Sequence, residues 1–431
     1  MIEGLQLSAT LREAVPYRIT VPDRLIDPLI TARERDGRIR LLHVSDFHLV
    51  EDIREPGSTK WRPLGAPTHS YETVRNLARV VRNLNPDYDL VLATGDLTTD
   101  GSREAFETAR QFIQSGSLSG GKSMRIATFG LSAGVGRRIL LPGNHDRFGN
   151  ELLAGQRSSS VFEEMLDTHK GYPYVVGFRP PNWDSTALTI LFFVFDSNLH
   201  EVPAFTDAPG RLHSIAQGIV ELEEIDSGFD ELAKKVAVSG QVEGLRGEML
   251  KIDIGNTIRV AVLHHHPFIS AEEEREARKN LSIWRNPVKS FKQARGKYDA
   301  SLVAMRNSEA FLRGCFRAGI QLILFGHQHD PYYRPVCRVD GANKMITHFG
   351  EMPSVIHGFC CASALEHTEQ ENGFYVLDFF ENRQLVVDFY SSKRSKGQSG
   401  EFLRVAEKSR VLDLSTHEVD KADATWVTIE G

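Results

Sequence analysis

Short apolar runs recur along the chain and alternate with segments of helical periodicity. The runs that predict buried strands are RIRLLHVS (38–45), DLVLATG (89–95), RRILLPG (137–143), LTILFFVFD (188–196), IRVAVLHHH (258–266) and IQLILFG (320–326). Between them, apolar residues three and four positions apart predict helices that carry residues 74–84 and 106–113, and helices at 158–169 and 307–318. Strands that alternate with helices are typical of an α/β layered fold.

The pattern changes in the last quarter of the chain, where the runs KMITHFG, NGFYVLDFF and RQLVVDFY follow one another without long helices. They predict an antiparallel sheet that packs against the first one. We therefore expect one large domain over residues 38–392, with insertions near 115–137, 200–255 and 268–305. Residues 1–37 are predicted to be an N-terminal extension with an edge strand at YRITV, and the charged residues 393–431 a weakly patterned tail.

Composition and charge restrict the class of protein. The 431 residues are 41% hydrophobic and 25% charged, which is ordinary for a soluble globular protein. The formal net charge of -6 gives no global basic field, so nucleic acid is not a favoured partner. The four cysteines (Cys315, Cys337, Cys360 and Cys361) show no CxxC pattern and are expected to be reduced. Reduced cysteines predict a cytoplasmic location. The sequence shows neither a signal-peptide pattern nor an apolar run long enough for a membrane helix.

Polar side chains follow five of the predicted strands at the point where each strand ends. They are Asp46 and His48, Asp96, the Asn144–Asp146 turn, the three histidines 264–266, and His327 with His329. In an open α/β sheet, ligands bind beyond the carboxyl ends of the strands. We therefore expect these side chains to lie close together.

Each of these turns by itself has an ordinary interpretation, because Asp and Asn form turns and histidine pairs are common on surfaces. Burying all of them together without a cation would carry a large desolvation and repulsion cost. The mixture of carboxylate, amide and imidazole favours two divalent cations such as Mn, Fe or Zn over Ca or Mg. Gly95, Gly143 and Gly326 are expected to let the backbone turn sharply after three of the strands.

The order of these turns resembles the calcineurin-like metallophosphoesterase superfamily, whose signature is D-x-H, G-D, G-N-H-D or G-N-H-E, H-x-P and G-H-x-H. The chain carries DFH, GD, GNHD, HHP and GHQH in that order, over roughly residues 38–391. The resemblance implies a four-layer α/β/β/α sandwich of two mixed β-sheets flanked by helices. It also implies a dinuclear metal centre.

The resemblance implies a role for each matching residue. One metal ion would take Asp46, His48 and His329, the second would take Asn144, His265 and His327, and Asp96 would bridge both. Among the three consecutive histidines, His265 is assigned because it stands two residues before Pro267, and His264 and His266 remain alternatives. His145 would protonate the leaving oxygen, and Asp100 or Asp146 would orient its ring. Arg147 is a candidate phosphate contact, with a surface salt bridge as the alternative.

The implied reaction is hydrolysis of a phosphoester by a hydroxide that bridges the two metal ions. GDLTTDGS differs from the GDxxDRG of phosphoprotein phosphatases and is closer to the bacterial branch that includes cyclic-nucleotide phosphodiesterases. The expected substrate is therefore a nucleotide or similar small phosphodiester. The alternatives are a phosphomonoesterase, a nuclease and a catalytically inactive binding scaffold. The basic segment 278–297 is interpreted as a solvated insertion, with substrate recruitment as its alternative.

Overall fold

The computed structural model describes residues 37–49, 71–84, 87–115, 118–119, 125–126, 130–148, 161–168, 171–198, 218–268, 305–329, 331–339, 346–365, 371–392, 400–415 and 425–428. The predicted YRITV strand and the basic segment 278–297 lie outside these residues. None of the helices in the described ranges is long and apolar enough to cross a membrane.

The described helices and strands follow the apolar runs of the sequence closely. The helices are α1 (Tyr71–Asn83), α2 (Arg103–Gln114), α3 (Asn144–Phe148), α4 (Val161–Leu166), α5 (Asp230–Ser239, preceded by a π-helical turn, Glu224–Phe229) and α6 (Ser308–Arg317), with 3-10 turns at Val135–Arg137, Ile254–Asn256 and Ala406–Lys408. The strands are β1 (Arg38–Val44), β2 (Leu90–Thr94), β3 (Leu118–Ser119), β4 (Arg125–Ile126), β5 (Arg138–Leu141), β6 (Tyr174–Phe178), β7 (Thr189–Val194), β8 (Gln241–Glu243), β9 (Met249–Lys251), β10 (Thr257–Val262), β11 (Leu322–Phe325), β12 (Tyr332–Val339), β13 (Ile346–Thr347), β14 (Gly350–Glu351), β15 (Val355–Cys360), β16 (Asn372–Phe380), β17 (Gln384–Ser392), β18 (Leu403–Arg404), β19 (Arg410–Asp413) and β20 (Thr425–Thr428).

Two large mixed sheets form the centre of the molecule. The first has the order β18-β17-β16-β1-β2-β5, with β19 also paired to β17, and its strands β1, β2 and β5 are parallel. The second has the order β20-β12-β15-β11-β10-β7-β6, and β7, β10, β11 and β15 are parallel. The carboxyl ends of the parallel strands in each sheet therefore share one edge.

Alternation of buried side chains along the strands produces three layers of apolar packing. Leu41 and Leu92 of the first sheet pack with Val260 and Leu324 of the second, in a core between the sheets. The opposite faces of the two sheets are covered by α1, α2 and α4 on one side and by α5 and α6 on the other. The four-layer α/β/β/α arrangement predicted from the sequence is confirmed.

Helix α2 shows how local sequence sets the bounds of these elements. Ser102 is the N-cap of this helix, since its Oγ accepts a hydrogen bond from the Ala105 backbone N–H (3.2 Å). Phe106, Ala109 and Ile113 form the buried face of the helix, as their spacing indicated. The loop after α2 packs against it, because the Leu131 backbone N–H donates to the Phe112 carbonyl (2.7 Å). Leu131 and Ala133 of the predicted insertion are thus part of the core.

The runs NGFYVLDFF and RQLVVDFY do not form the separate antiparallel sheet that the sequence suggested, and KMITHFG contributes only β13 and the start of β14, which pair with each other. β16 and β17 pair antiparallel with β1 and with each other, and so extend the first sheet. β12 and β15 belong to the second sheet. The residues after 392, expected to be a weakly patterned tail, contribute β18 and β19 to the first sheet and β20 to the second. Both sheets are mixed because these strands add antiparallel edges to a parallel centre.

Candidate functional site

The residues predicted to be ligands leave their strands in an unusual backbone conformation. The φ angles of Asp46, His48, Asp96, His327 and His329 are 53°, 48°, 50°, 76° and 58°. Residues other than glycine rarely adopt this left-handed region, and such strain is concentrated at functional sites. Surrounding contacts hold it in place: the Asp46 backbone N–H donates to the Gly95 carbonyl (3.0 Å), and that of His48 donates to the Asp96 carbonyl (2.9 Å).

Three glycines allow the strand ends to approach one another closely. Gly95 has φ +100°, as expected for a sharp turn, and a Cβ there would lie 2.4 Å from Nδ1 of His264. Gly143 and Gly326 are required for space rather than for a left-handed turn. A Cβ at Gly143 would lie 2.1 Å from Asp96 Oδ1, and one at Gly326 would lie 1.9 Å from the Oγ of Ser45. The glycines of GD, GNHD and GHQH therefore bring the two sheets together at the site.

The first ligand group consists of Asp46 and His48 after β1 and His329 after β11. His329 Nε2 lies 3.1 Å from Asp46 Oδ1 and 3.2 Å from His48 Nε2. His48 Nε2 is 3.9 Å from the same Asp46 oxygen. Asp46 and His48 are fully buried, and His329 is 17% exposed. Three side chains from both sheets thus direct one atom each to a common point.

The second ligand group consists of Asn144 at the start of α3, His264 after β10 and His327 after β11. His264 Nε2 lies 3.1 Å from Asn144 Oδ1 and 3.1 Å from His327 Nδ1. Burial, followed by the neighbouring His264, lowers the pKa of His327 to about 3. The His327 ring is therefore neutral at physiological pH, as a metal ligand must be.

Asp96 lies between the two groups. Its Oδ2 is 3.3 Å from His264 Nε2 and 4.0 Å from His48 Nε2, while its Oδ1 accepts a hydrogen bond from the His145 backbone N–H (2.8 Å). Burial opposes ionisation of Asp96, but the facing rings of His264 and His145 outweigh it and hold the pKa of the carboxyl well below its usual range. A carboxylate in this position can contact two cations at once.

The structure places His264, rather than His265, beside Asp96 and Asn144. Nδ1 of His265 instead lies 2.7 Å from the Oγ of Ser197. Val262 faces the core between the sheets and Leu263 faces α6, so strand alternation brings His264 to the side where the sheets meet. We therefore replace His265 by His264 in the candidate set. His266 contacts the Tyr332 hydroxyl on the other side of the strand end.

The hydrogen bonding of His264 shows that the residues present fit a cation. Its Nδ1 donates to the Thr94 carbonyl (2.7 Å), so in a neutral ring Nε2 carries a lone pair. That lone pair faces two acceptors, Asn144 Oδ1 and Asp96 Oδ2. Burial disfavours a second proton, yet Asp96 outweighs it and raises the pKa of His264 to about 9. A positive charge is therefore needed between His264 Nε2 and these two oxygens, either as that proton or as a bound cation. The two carboxylates and neutral imidazoles of the site suit a divalent metal ion.

His145 occupies the rim of the site. Its ring is half-buried and lies edge-on to His48, with ring centroids 4.9 Å apart. Nδ1 donates to the Thr99 carbonyl (3.0 Å), which fixes the ring orientation. The sequence assigned this orienting role to Asp100 or Asp146, but Asp100 accepts hydrogen bonds from the backbone N–H and hydroxyl of Ser102 and shapes the turn before α2. The partner at Nδ1 is thus a backbone carbonyl, a group that residue types do not reveal.

Asp146 braces the loop that carries Asp96. Its carboxylate accepts hydrogen bonds from the backbone N–H groups of Leu97, Thr98 and Gly143, at 3.0, 2.9 and 3.0 Å. Burial and the nearby Asp96 raise the pKa of Asp146 to about 6. Asp146 therefore fixes the GD and GNHD turns relative to each other.

Arg147 is neither a phosphate contact nor a surface salt bridge. It is 1% exposed, and its guanidinium binds Asp196 (Nε to Oδ2, 2.9 Å) and Glu163 (Nη1 to Oε2, 2.9 Å). Burial opposes the charge of Arg147, but these carboxylates outweigh it and raise the pKa of the guanidinium above its ordinary value. The correction could not be foreseen from the motif, because Glu163 and Asp196 are distant in sequence.

Comparison with known proteins agrees with the motif pattern. The sequence pattern of the family described as calcineurin-like phosphoesterase matches residues 39–331. A 3′,5′-cyclic-nucleotide phosphodiesterase of Nostoc sp. (strain PCC 7120) is 30% identical over 108 residues, which are 25% of this chain and 31% of that protein. The aligned region thus spans less than a third of this curated relative.

Two solved structures were also compared with the chain. They are a purple acid phosphatase from yellow lupin (Lupinus luteus) seeds, with a TM-score of 0.43, and the NAD nucleotidase of Haemophilus influenzae, with a TM-score of 0.33. Each is 11% identical to this chain, and each alignment covers 85% of this chain and 53% of the other. Because the family pattern spans more than half of the sequence, the chain belongs to the calcineurin-like phosphoesterase family.

Proposed function

We propose that the chain is a metal-dependent phosphodiesterase that hydrolyses a nucleotide or similar small phosphodiester. The observation that carries this proposal is the position of Asp96 between two groups of ligand side chains. Each of three clusters — Asp46, His48 and His329; His48, Asp96 and His145; Asp96, His264 and His327 — has ligand atoms within 4.8 Å of one another. One continuous set of donors of this kind suits a pair of cations better than a single ion.

In this proposal the first ligand group would hold one divalent ion and the second ligand group the other, and Asp96 would contribute to both. The nitrogen-rich ligand set favours Mn, Fe or Zn. A bound pair of such ions supplies an activated water and neutralises charge on the phosphoryl oxygens. No side-chain nucleophile is required.

His145 is proposed to be the general acid. The Thr99 carbonyl accepts the Nδ1–H, so in the imidazolium form the second proton is on Nε2, from which it can pass to the leaving oxygen and leave a neutral ring. Its half-buried ring can reach a substrate that the fully buried His48 cannot. The His145 backbone N–H donates a hydrogen bond to Asp96 Oδ1, which fixes the position of the acid relative to the ligand groups.

A diester is proposed because the stretch of similarity to a cyclic-nucleotide phosphodiesterase supports it over a monoester. The net charge of -6 counts against a nuclease that follows a polyanionic strand. An inactive scaffold is disfavoured because the ligand positions and His145 are all filled. The cytoplasmic location predicted from the cysteines remains a prediction; all four are buried thiols.

Rates on two synthetic esters test the choice of substrate class. We expect the Mn-loaded protein to hydrolyse bis-p-nitrophenyl phosphate faster than p-nitrophenyl phosphate, with chelator-treated protein as the control. Faster cleavage of the monoester would replace the diesterase by a phosphomonoesterase. Cleavage of neither ester by a protein that holds metal would favour the scaffold.

Alanine variants at the adjacent histidines test the ligand assignment. At saturating Mn, we expect His264→Ala to bind one ion per chain instead of two, because it removes a nitrogen central to the second ligand group. His265→Ala should still bind two ions, with a lower affinity for one of them. Metal content after gel filtration, with matched circular dichroism spectra, measures both. Loss of an ion in His265→Ala but not in His264→Ala would restore the assignment made from the motif.

A further inference from the structure

The turn that follows β7 connects the two halves of the candidate site. Its residues Asp196, Ser197 and Asn198 are 2%, 0% and 3% exposed. The turn lies beside the end of β10, since the Phe195 backbone N–H donates to the Val262 carbonyl (2.9 Å). None of the three residues belongs to the ligand groups or to the motifs of the family, yet all are polar and fully packed. We refer to them as the DSN turn.

One side of the DSN turn reaches the segment that carries Asn144. Asp196 Oδ2 accepts a hydrogen bond from Arg147 Nε (2.9 Å), and Arg147 stands three residues after Asn144 on α3. Asn198 Nδ2 donates to the Pro142 carbonyl (3.0 Å), two residues before Asn144. Asp196 Oδ1 in turn accepts from the Asn198 backbone N–H (2.9 Å). Asn144 is thus held on both flanks by contacts that cross from the second sheet to the first.

The other side of the DSN turn reaches the histidines of the second ligand group. The Oγ of Ser197 lies 2.7 Å from His265 Nδ1 and accepts a hydrogen bond from the His265 backbone N–H (3.3 Å). The His265 ring packs against His327 and His264, with ring centroids 4.5 and 5.1 Å apart. Gly218 closes the space beside it, since a Cβ there would lie 2.2 Å from His265 Nδ1. His265 is thereby fixed as a support for two candidate ligands.

We propose that the DSN turn is a positioning element for the second metal ion, and that His265 acts through it as a positioning residue rather than a ligand. The inference rests on the proposed metal centre. The contacts of the DSN turn converge on Asn144, His264 and His327. Asp46 and His48 are instead fixed by backbone hydrogen bonds to the loop after β2. Partners behind metal ligands set ligand orientation, and their loss lowers metal affinity about 10- to 100-fold. The effect is therefore selective for one ion of the pair.

The test is a calorimetric Mn titration of the full-length wild type, Ser197→Ala and Ser197→Thr, with the electron paramagnetic resonance signal of the coupled Mn pair as a second readout. We expect Ser197→Ala to raise the dissociation constant of one ion about 10- to 100-fold and to leave the other within about twofold. Ser197→Thr keeps the hydroxyl and should recover most of the lost affinity. Ser409→Ala removes a hydroxyl of a serine that is 5% exposed and bonds the Val405 carbonyl, and should bind both ions like the wild type.

The outcomes separate this inference from the proposed function. If the wild type binds two ions and Ser197→Ala binds both with unchanged affinity, or weakens both equally, the DSN turn is not a selective positioning element. If the wild type binds no Mn, the metal centre itself fails and the inference fails with it. Thermal unfolding midpoints of the variants show whether a change reflects general loss of structure. Should Ser197→Ala not fold, Asn198→Ala, which removes the hydrogen bond to the Pro142 carbonyl beside Asn144, should likewise weaken one ion and not the other.

Discussion

Asp96→Asn is expected to lower the metal content below two ions per chain and to reduce kcat/KM for a diester at least about 1000-fold, or roughly 4 kcal/mol of transition-state stabilisation. Asn keeps the shape of Asp96 and can still accept from the His145 backbone N–H. It removes one of the two carboxylates, Asp46 and Asp96, that face the imidazoles of both ligand groups. Metal analysis and steady-state kinetics on the same preparation measure the two effects.

Asp100→Asn is the matched control, since Asp100 stands in the same loop and is 7% exposed. Its hydrogen bonds to Ser102 are kept in part by the amide, so the variant should retain both ions and most of its activity. If Asp100→Asn lost activity as severely as Asp96→Asn while retaining its metal, Asp100 would regain the orienting role that the sequence gave it. Wild-type metal content in Asp96→Asn would contradict the bridging position of Asp96.

On a diester with an alkyl or ribose leaving group, His145→Ala is expected to reduce kcat by about 100- to 10,000-fold while both metal ions stay bound, which is the range for loss of a general acid. The loss should depend on the leaving group. p-Nitrophenolate leaves without much help from an acid, whereas an alkoxide requires protonation. The decrease should therefore be small on bis-p-nitrophenyl phosphate and large on a diester with an alkyl or ribose leaving group.

His145→Gln helps to distinguish two roles of His145, that of a general acid and that of a metal ligand. Gln can fill part of the space and bond the Thr99 carbonyl, but it cannot donate a proton to the leaving oxygen. It should show the same dependence on the leaving group as His145→Ala, with the metal retained. Loss of an ion from both variants would instead make His145 a ligand, in line with the closeness of its ring to His48 and Asp96.

The strand ends were the part of the site that the sequence predicted best. Asp46, His48, Asp96 and Asn144 follow apolar runs directly, and parallel strands bring their carboxyl ends to one edge. The choice among the three histidines was harder because the motif and the strand periodicity disagreed. The motif pointed to His265. Strand alternation pointed to His264, because it follows Val260 and Val262 at two-residue spacing and these side chains face the other sheet.

The contacts behind the ligands could not be predicted from the motifs. The guanidinium of Arg147 depends on Glu163 and Asp196, whose distance in sequence hides the contact until the sheets are assembled. Polar residues at the end of LTILFFVFDSN gave a signal, since they follow a parallel strand as the ligands do. In the same way, the apolar runs of β16 and β17 predicted strands, but not which sheet they join.

The metal content of the wild-type protein tests the central claim most directly. The purified chain would be stripped with a chelator, reloaded with excess Mn, freed of unbound ions by gel filtration and measured by mass spectrometry against protein concentration. We expect about two ions per chain, with a magnetically coupled Mn pair. The proposed ligands are the two ligand groups and the carboxylate between them: Asp46, His48, His329, Asn144, His264, His327 and Asp96. No bound metal, or a single ion at saturation, would contradict a dinuclear centre.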